Sequence, residues 1–447
     1  MVSPEEFGWP QDIGALLILD GSGLVDPAGR FRIEAARGAV ERRLHLVPRL
    51  RQLLVTPGRG LGWPLWVDAP AFDIADHVRV FPLSAPAEER QLLLATERLR
   101  RRRLDRSRPL WEMWFLPGLP QQRVGLFIKL HHAIADGVAG TALLGALLDR
   151  DAHAATPAPP PWAPVPAPSG RELFADNLHR CGQAFGRALS RLARPVDTVR
   201  QVRAAWPAMR ESFAEQRAPR TSLNRPIGSD RRLAVIRSDL DLAKRVAHAH
   251  GGTVNDVLLA AVAGGLRDLL SSRGELVDGL VLRAFVPVSL HRERPDQARG
   301  NLDGAMFVPL PVGVPDPVRR LRLIVAETSE RKRKARPAGG TLFSSRTLQR
   351  AALRLMARQR FMNVYTANVP GPPVPLYFAG APLLEAFPVV PLMANVTLGV
   401  GALTYAGQFN ITVVADRDTC PDVDVFTAGL QSSLQALAAS LLVSEQR

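Results

Sequence analysis

Between Ala154 and Ser169 the chain reads AATPAPPPWAPVPAPS. Proline fixes φ and has no amide hydrogen to donate. Neither a helix interior nor a sheet ladder survives such a density of it. The run is therefore an extended linker. A chain of 447 residues is also longer than one hydrophobic core usually serves, so two domains are expected. We place the first unit at 1–153, the linker and the helical stretch after it at 154–220, and the second unit at 221–447.

Both units mix strand and helix patterns. IGALLILD (13–20) reads as a buried strand. Ile33, Ala36, Val40 and Leu44 fall at helical spacing within Phe31–His45, and Leu92–Leu99 is a second helix. RVGLFIKL (Arg123–Leu130) is a strand, followed by a helix over Val138–Asp149. In the second unit a strand near Arg232–Ser238 leads to a helix over Leu240–His250 that ends at Gly251–Gly252. Thr253 can cap the next helix, VNDVLLAAVAGGLRDLL. Strands follow at Leu280–Pro287 and Ala305–Leu310, then a helix carrying ERKRKAR from Glu330, which reads as a solvated face. A helix over Leu348–Met362, strands at Asn363–Asn368, Asn395–Tyr405 and Gln408–Ala415, and a helix over Val425–Leu442 complete the pattern. The fold class this predicts is α/β.

The formal charge is +15, and only Lys129, Lys244, Lys332 and Lys334 are lysines. An arginine excess favours anionic partners: acidic headgroups, phosphorylated cofactors or nucleic acid. The arginines are scattered and aromatics are few, with no zinc-finger, RNA-recognition or basic-zipper signature, so no nucleic-acid partner is expected. The two cysteines, Cys181 and Cys420, do not form a disulfide framework and suit a reducing compartment. The start, MVSPEEFGWPQD, lacks a signal-peptide pattern, and no apolar run is long enough to span a bilayer. A cytoplasmic protein, free or peripheral to a lipid surface, is expected.

After the linker, Phe174, Leu178, Cys181, Phe185, Ala188 and Leu192 share one helical face, with Arg180, Arg187, Arg191 and Arg194 largely elsewhere. A second helical stretch carries Val199, Val202 and Trp206. Two readings are open: a helix docked on the protein, or one lying on an anionic lipid surface.

The chemistry concentrates in KLHHAIADGVAG (Lys129–Gly140), where a buried strand gives way to a helix. Neighbouring strand residues point to opposite faces, so His131 and His132 cannot share one cavity while the strand persists. A neutral imidazole can accept a hydroxyl proton near pH 7. Asp136 can orient it, pair with an arginine, or cap the following helix, and Gly137 eases the turn. Spacing alone leaves catalysis, zinc ligation and a structural role open. The other histidines, including His45, His77, His248, His250 and His291, form no second metal-like cluster, which argues against a metal site. No G-x-S-x-G occurs and no cysteine has a catalytic setting. A lone base fits direct attack by a bound hydroxyl or amine on an activated acyl group.

HHAIADG resembles the HHxxxDG signature shared by chloramphenicol acetyltransferase-like enzymes and nonribosomal condensation domains. LDRSRPLWEM (Leu104–Met113), Asn255–Asp256 in GGTVNDVLL, VPVSL (Val286–Leu290), Gly300–Asn301, ANVPGPPVPLYFAG (Ala367–Gly380) and LTYAGQFNITVVADRDTCPD follow in order. Together they resemble the bacterial wax ester synthase/diacylglycerol acyltransferase family over nearly the whole chain. The resemblance implies two chloramphenicol-acetyltransferase-like halves with a substrate tunnel between them. It implies acyl-CoA as donor substrate, no cofactor, and diacylglycerol or a fatty alcohol as acceptor, with a membrane or lipid-droplet surface nearby. His132 would be the general base, with His131 and Asp136 supporting it and Asp136 turned away in a salt bridge. Asn255, near the start of its helix, is a candidate oxyanion donor that could equally cap or tie the fold, and Gly137 is a candidate substrate-binding residue. Pro109, Leu110 and Trp111 would shape or support the acyl tunnel, or Trp111 would simply pack. Two departures stand out: His291 where the family has Arg after Ser289-Leu290, and Thr404-Tyr405-Ala406-Gly407 where it often has Ser-Tyr-Asn-Gly. The alternatives are condensation from a carrier protein and a non-catalytic lipid-binding or lipid-droplet surface protein.

Overall fold

The computed structural model describes residues 12–58, 61–134, 137–154, 158–192, 217–289, 303–334, 354 and 356–445. Asp136, His291, Gly300–Asn301, the stretch with Val199, Val202 and Trp206, the end of ERKRKAR and most of Leu348–Met362 lie outside them.

Two six-stranded sheets form the framework. In the first, β1 (Asp12–Asp20) runs antiparallel to β6 (Arg123–His131), which pairs antiparallel with β5 (Trp111–Pro117). β5 pairs in parallel with the edge strand β4 (Val78–Val80). Two short strands, β2 (Gln52–Val55) and β3 (Leu65–Asp68), make a separate hairpin. The second sheet orders β7 (Arg231–Asp239), β14 (Gln408–Asp416), β13 (Leu398–Tyr405), β10 (Val364–Pro370), β8 (Leu282–Ser289) and β9 (Asp303–Leu310). Its β10 runs parallel to both neighbours.

The division at residue 221 does not hold for the sheets. β11 (Tyr377–Phe378) and β12 (Ala381–Val389) come from the second unit but complete the first sheet, β12 pairing with β1 from Gly14–Val389 to Leu19–Leu383. Only β6 from the first unit pairs with β1, so its other edge is closed by a distant segment. The crossing explains the Pro-Gly-Pro-Pro run. A Cβ at Gly371 would lie 2.1 Å from the Thr404 carbonyl oxygen, so only glycine fits there. The Gly371 amide donates to Thr404 Oγ1 at 3.1 Å. Tyr405 then ties the crossing down, donating to the Leu383 carbonyl (2.9 Å) and accepting the Leu376 amide (2.8 Å). Ala406 (φ 43°) and Gly407 (φ 82°) close the β13–β14 hairpin. Positive φ at both central residues is the type I′ turn, which favours Asn-Gly. Alanine at the first of these positions carries a left-handed backbone cost of about 1–2 kcal/mol.

Period-two alternation splits the first sheet into two faces. Leu17, Leu19, Leu126, Ile128, Met113 and Phe115 pack with Ala36, Ala39 and Val40 of α1 (Ile33–Glu41) and Leu143 and Leu147 of α3 (Gly137–Leu147). Leu16, Ile18, Phe127, Trp114 and Phe387 pack on Leu92, Ala95 and Leu99 of α2 (Glu89–Arg101). That second cluster continues into Leu233, Val235, Tyr365, Ala367 and Val414, so the halves meet there. Polar ties reinforce the joint: Glu97 accepts the Arg231 amide at 2.7 Å, and Arg100 donates to the Ser229 carbonyl at 3.2 Å.

In the second half, α5 (Leu240–Ala249) leads to α6 (Val254–Ser272), buried on every side between Val257 and Leu266, as an all-apolar helix requires. α7 (Pro317–Lys334) and α8 (Val423–Glu445) pack against it. Residues 158–169 form no helix or strand and are mostly exposed, with Arg51 over the Trp162 ring at 4.9 Å. α4 (Gly170–Leu192) follows it.

Candidate active site

β6 ends at His131, and His132 begins the turn beyond it. The strand thus stops between the two, so the turn and not strand alternation places His132, and the rings differ in burial. His131 is 8% exposed. Its amide donates to the Leu110 carbonyl at 3.0 Å and its carbonyl accepts the Ile134 amide at 2.8 Å. Its Nδ1 accepts the Ala133 amide at 3.0 Å, which fixes the tautomer. Burial pulls the His131 pKa below the usual range; Asp12 acts against this and Arg106 with it. The ring is neutral at pH 7. His132 is half-buried in the turn.

Across the β1–β6 pairing, Asp12 stands opposite His131, and across β5–β6, Glu112 stands opposite Lys129. All four side chains project from the face where the halves meet. Lys129 is fully buried, with Nζ 3.1 Å from the Asp12 carboxylate and donating to the Arg102 carbonyl. Burial pulls its pKa down while Asp12 holds it up. Sequence reasoning did not single out this pair. The signal was present: a lysine inside an apolar strand demands a partner.

Gly137 opens α3, which packs against β10, so the histidine turn lies beside the junction of the halves. Asp136 lies outside the described residues. Pro109 and Leu110 are buried, and Leu110 touches the site through its carbonyl. Trp111 is wholly buried; its indole N–H donates to the Leu50 carbonyl at 2.8 Å. It stacks on His77 (4.5 Å between centroids, 16° between planes), and His77 Nδ1 lies 2.8 Å from the Trp111 carbonyl. The Pro-Leu-Trp block therefore supports the strand end, with the tryptophan ring packed. Asn255 stands half-buried in the first turn of α6, and the helices packed on α6 are α5, α7 and α8. Its neighbour Asp256 is structural: it accepts the Thr253 amide (2.8 Å) and hydroxyl (2.7 Å) in a capping box, and the Thr328 hydroxyl at 2.8 Å. The structure thus brings His131, Leu110, Trp111 and the start of α3 together at one sheet end, with Asn255 in the other half.

The chain matches two family models: the wax ester synthase/diacylglycerol acyltransferase catalytic domain over residues 1–258 and the C-terminal domain of the same family over residues 299–438. Two Mycobacterium tuberculosis proteins named as diacylglycerol O-acyltransferases are 32% and 31% identical; each alignment covers 96% of this chain and, respectively, 86% and 91% of the relative. Among solved structures, the wax ester synthase/diacylglycerol acyltransferase from Marinobacter aquaeolei VT8 matches with a TM-score of 0.67 at 26% identity, covering 97% of this chain and 95% of that one. The first condensation domain of the CDA synthetase has a TM-score of 0.58 at 16% identity over 97% and 93% of the two chains, a likeness of fold alone.

Proposed function

This chain belongs to the wax ester synthase/diacylglycerol acyltransferase family, and on that premise we propose that it transfers a long-chain acyl group from acyl-CoA to diacylglycerol, a fatty alcohol, or both, with His132 as general base. The observation that carries the assignment is the unequal placement of the histidines. His131 is buried with Nδ1 engaged by the Ala133 amide, while His132 stands half-buried in the turn at the junction. His132 takes the hydroxyl proton as the acceptor oxygen attacks the thioester carbonyl. The new C–O bond forms, the C–S bond breaks, and the imidazolium returns the proton to the leaving thiolate. Asp136, outside the described residues, has a supporting and not a proton-transfer role in this reading. The oxyanion donor in this reading is Asn255, and the acyl chain lies in a tunnel between the halves.

Direct attack is supported by the state of the cysteines. Burial pushes the Cys420 thiol up to about 11, far from a thiolate at neutral pH, and Cys181 sits exposed on α4. Free CoA should therefore appear only when acyl-CoA and a diacylglycerol or fatty alcohol are both present, in step with the ester product. CoA release without acceptor, or none with either acceptor, would overturn the proposal.

The acceptors dissolve in membranes, and no described helix is long and apolar enough to cross one. We assign the lipid contact to α4. Phe174 and Leu178 are 54% and 63% exposed, while Leu173 and Asn177, one turn apart on the adjoining stripe, are half-buried. The helix thus touches the protein with one stripe and presents apolar groups outward. The side chains of Arg187, Arg191 and Arg194 lie outside those described. A Phe174→Ser/Leu178→Ser variant should lose at least about ten-fold in affinity for phosphatidylglycerol vesicles, since each buried side chain of this size contributes about 1.5–3 kcal/mol. Equal flotation of variant and wild type would return α4 to a purely packed role.

A further inference from the structure

The face of the first sheet that meets the second half carries a buried charge cluster just before the histidine turn. The Lys129 side chain is fully buried, with Nζ 3.1 Å from the Asp12 carboxylate, itself only 8% exposed. Lys129 also donates to the Arg102 carbonyl. In the β1–β6 register Asp12 is the residue directly opposite His131, which sets their Cβ atoms about 4.5–5.5 Å apart. The Asp12 carboxylate therefore stands between two side chains that can carry a proton, the Lys129 amine and the His131 imidazole. Glu112 of β5 and Arg100 of α2 also act on Lys129, and Arg106, in the segment after α2, acts on His131. α3, which opens beyond the turn, carries no ionisable side chain, and β10 packed on it carries only Tyr365.

The state of His131 matters because of what its ring accepts. The Ala133 amide donates to Nδ1 at 3.0 Å, so the residues before and after His132 are clamped to each other. An imidazolium has hydrogen on both ring nitrogens and accepts nothing. A proton on His131 thus breaks the clamp and frees the turn that carries His132. An unbalanced buried carboxylate opposite the ring favours that proton, since a nearby negative charge stabilises the imidazolium. The Lys129 ammonium, bonded to the same carboxylate, supplies the balance.

We propose that Lys129 is a positioning residue: its ammonium balances Asp12, so that His131 stays an acceptor for the Ala133 amide and His132 stays aimed at the substrate hydroxyl. The proposal rests on the assignment of His132 as base above. The test compares Asp12→Asn, Lys129→Gln and the double variant in the full chain. Glutamine keeps a donor for the Arg102 carbonyl while removing the charge. Turnover is measured between about pH 6 and 8, where imidazoles titrate, and the His131 ring is titrated by NMR in histidine-labelled protein, its signal assigned with His131→Gln. In Lys129→Gln the proton affinity of His131 should rise at least about ten-fold. Its kcat at about pH 6 should fall at least about ten-fold relative to wild type, with KM little changed, because a displaced catalytic group slows the chemistry. The loss should shrink as pH rises, because the neutral ring returns. Asp12→Asn leaves no charge to balance and should keep kcat near the wild-type value, and the double variant should restore it. A merely structural ion pair gives another pattern, with both single variants impaired alike at every pH. That pattern, or a double variant no better than Lys129→Gln, overturns the proposal. So does an unchanged His131 titration in folded Lys129→Gln, the result if Asp12 takes up the proton itself. If Lys129→Gln does not fold, a folded double variant with wild-type kcat supports the proposal, and a double variant equally damaged overturns it. If the wild type turns over no acyl-CoA, the functional reading fails, and the His131 titration still decides the role of Lys129.

Discussion

His132→Ala should slow CoA release about 10²–10⁴-fold, the usual contribution of a general base, while leaving the melting temperature close to that of the wild type. His132 is half-buried in a turn beyond the last residue of β6, so its truncation opens no cavity in either hydrophobic cluster. His131→Ala is the informative contrast. That ring is buried beside the Lys129–Asp12 pair and accepts the Ala133 amide. Its removal costs the part-buried hydrogen bond from the Ala133 amide, about 0.5–1.5 kcal/mol, and empties a buried site. The pair of variants should separate: one inactive and stable, the other destabilised. Circular dichroism melts and a thiol-detection assay on both variants suffice. Near-normal turnover in a folded His132→Ala variant would remove it as the base.

Asp416→Ala should cost the fold about 3–5 kcal/mol, as expected when one partner of a buried ion pair is removed. The Asp416 side chain is fully buried at the end of β14, 2.8 Å from Arg231, whose side chain is 2% exposed. The carboxylate also accepts the Gly228 amide (2.7 Å), the Thr419 amide (3.0 Å) and the Thr419 hydroxyl (2.7 Å). Losing it strands a guanidinium and three further donors. Arg231 lies where α2 meets β7, its amide held by Glu97, so the damage falls on the joint between the halves. Arg231→Met combined with Asp416→Ala should recover part of the loss, because the unpaired charge is then gone. Denaturant midpoints report both effects. A single variant that unfolds at the wild-type midpoint would mean that water or another acidic group compensates at that corner.

The sequence alone determined the elements whose signals are local. β6 and α3 around the histidines follow from an apolar strand run and helical spacing. α6 and its cap follow from Thr253 and Asp256, three residues apart, ahead of a long apolar stretch. The linker follows from proline chemistry. Strand alternation suggested that His131 and His132 would differ, but the strand ends between them, so the turn decides the burial of His132. Other features depend on contacts between distant residues, and only the tertiary structure decided them. β5 carries Trp111–Pro117 and β12 carries Ala381–Val389, yet neither was expected as a strand. β5 is apolar on both faces and β12 is interrupted by prolines, so period-two alternation is blurred. The return of β12 to the first sheet is set by the open edge of β1, which no local pattern announces. Trp111 looked equally suited to line a tunnel or to pack, until the Leu50 carbonyl and the His77 ring fixed it. Lys129 advertised a need for a partner, but Asp12 became that partner only through the β1–β6 register.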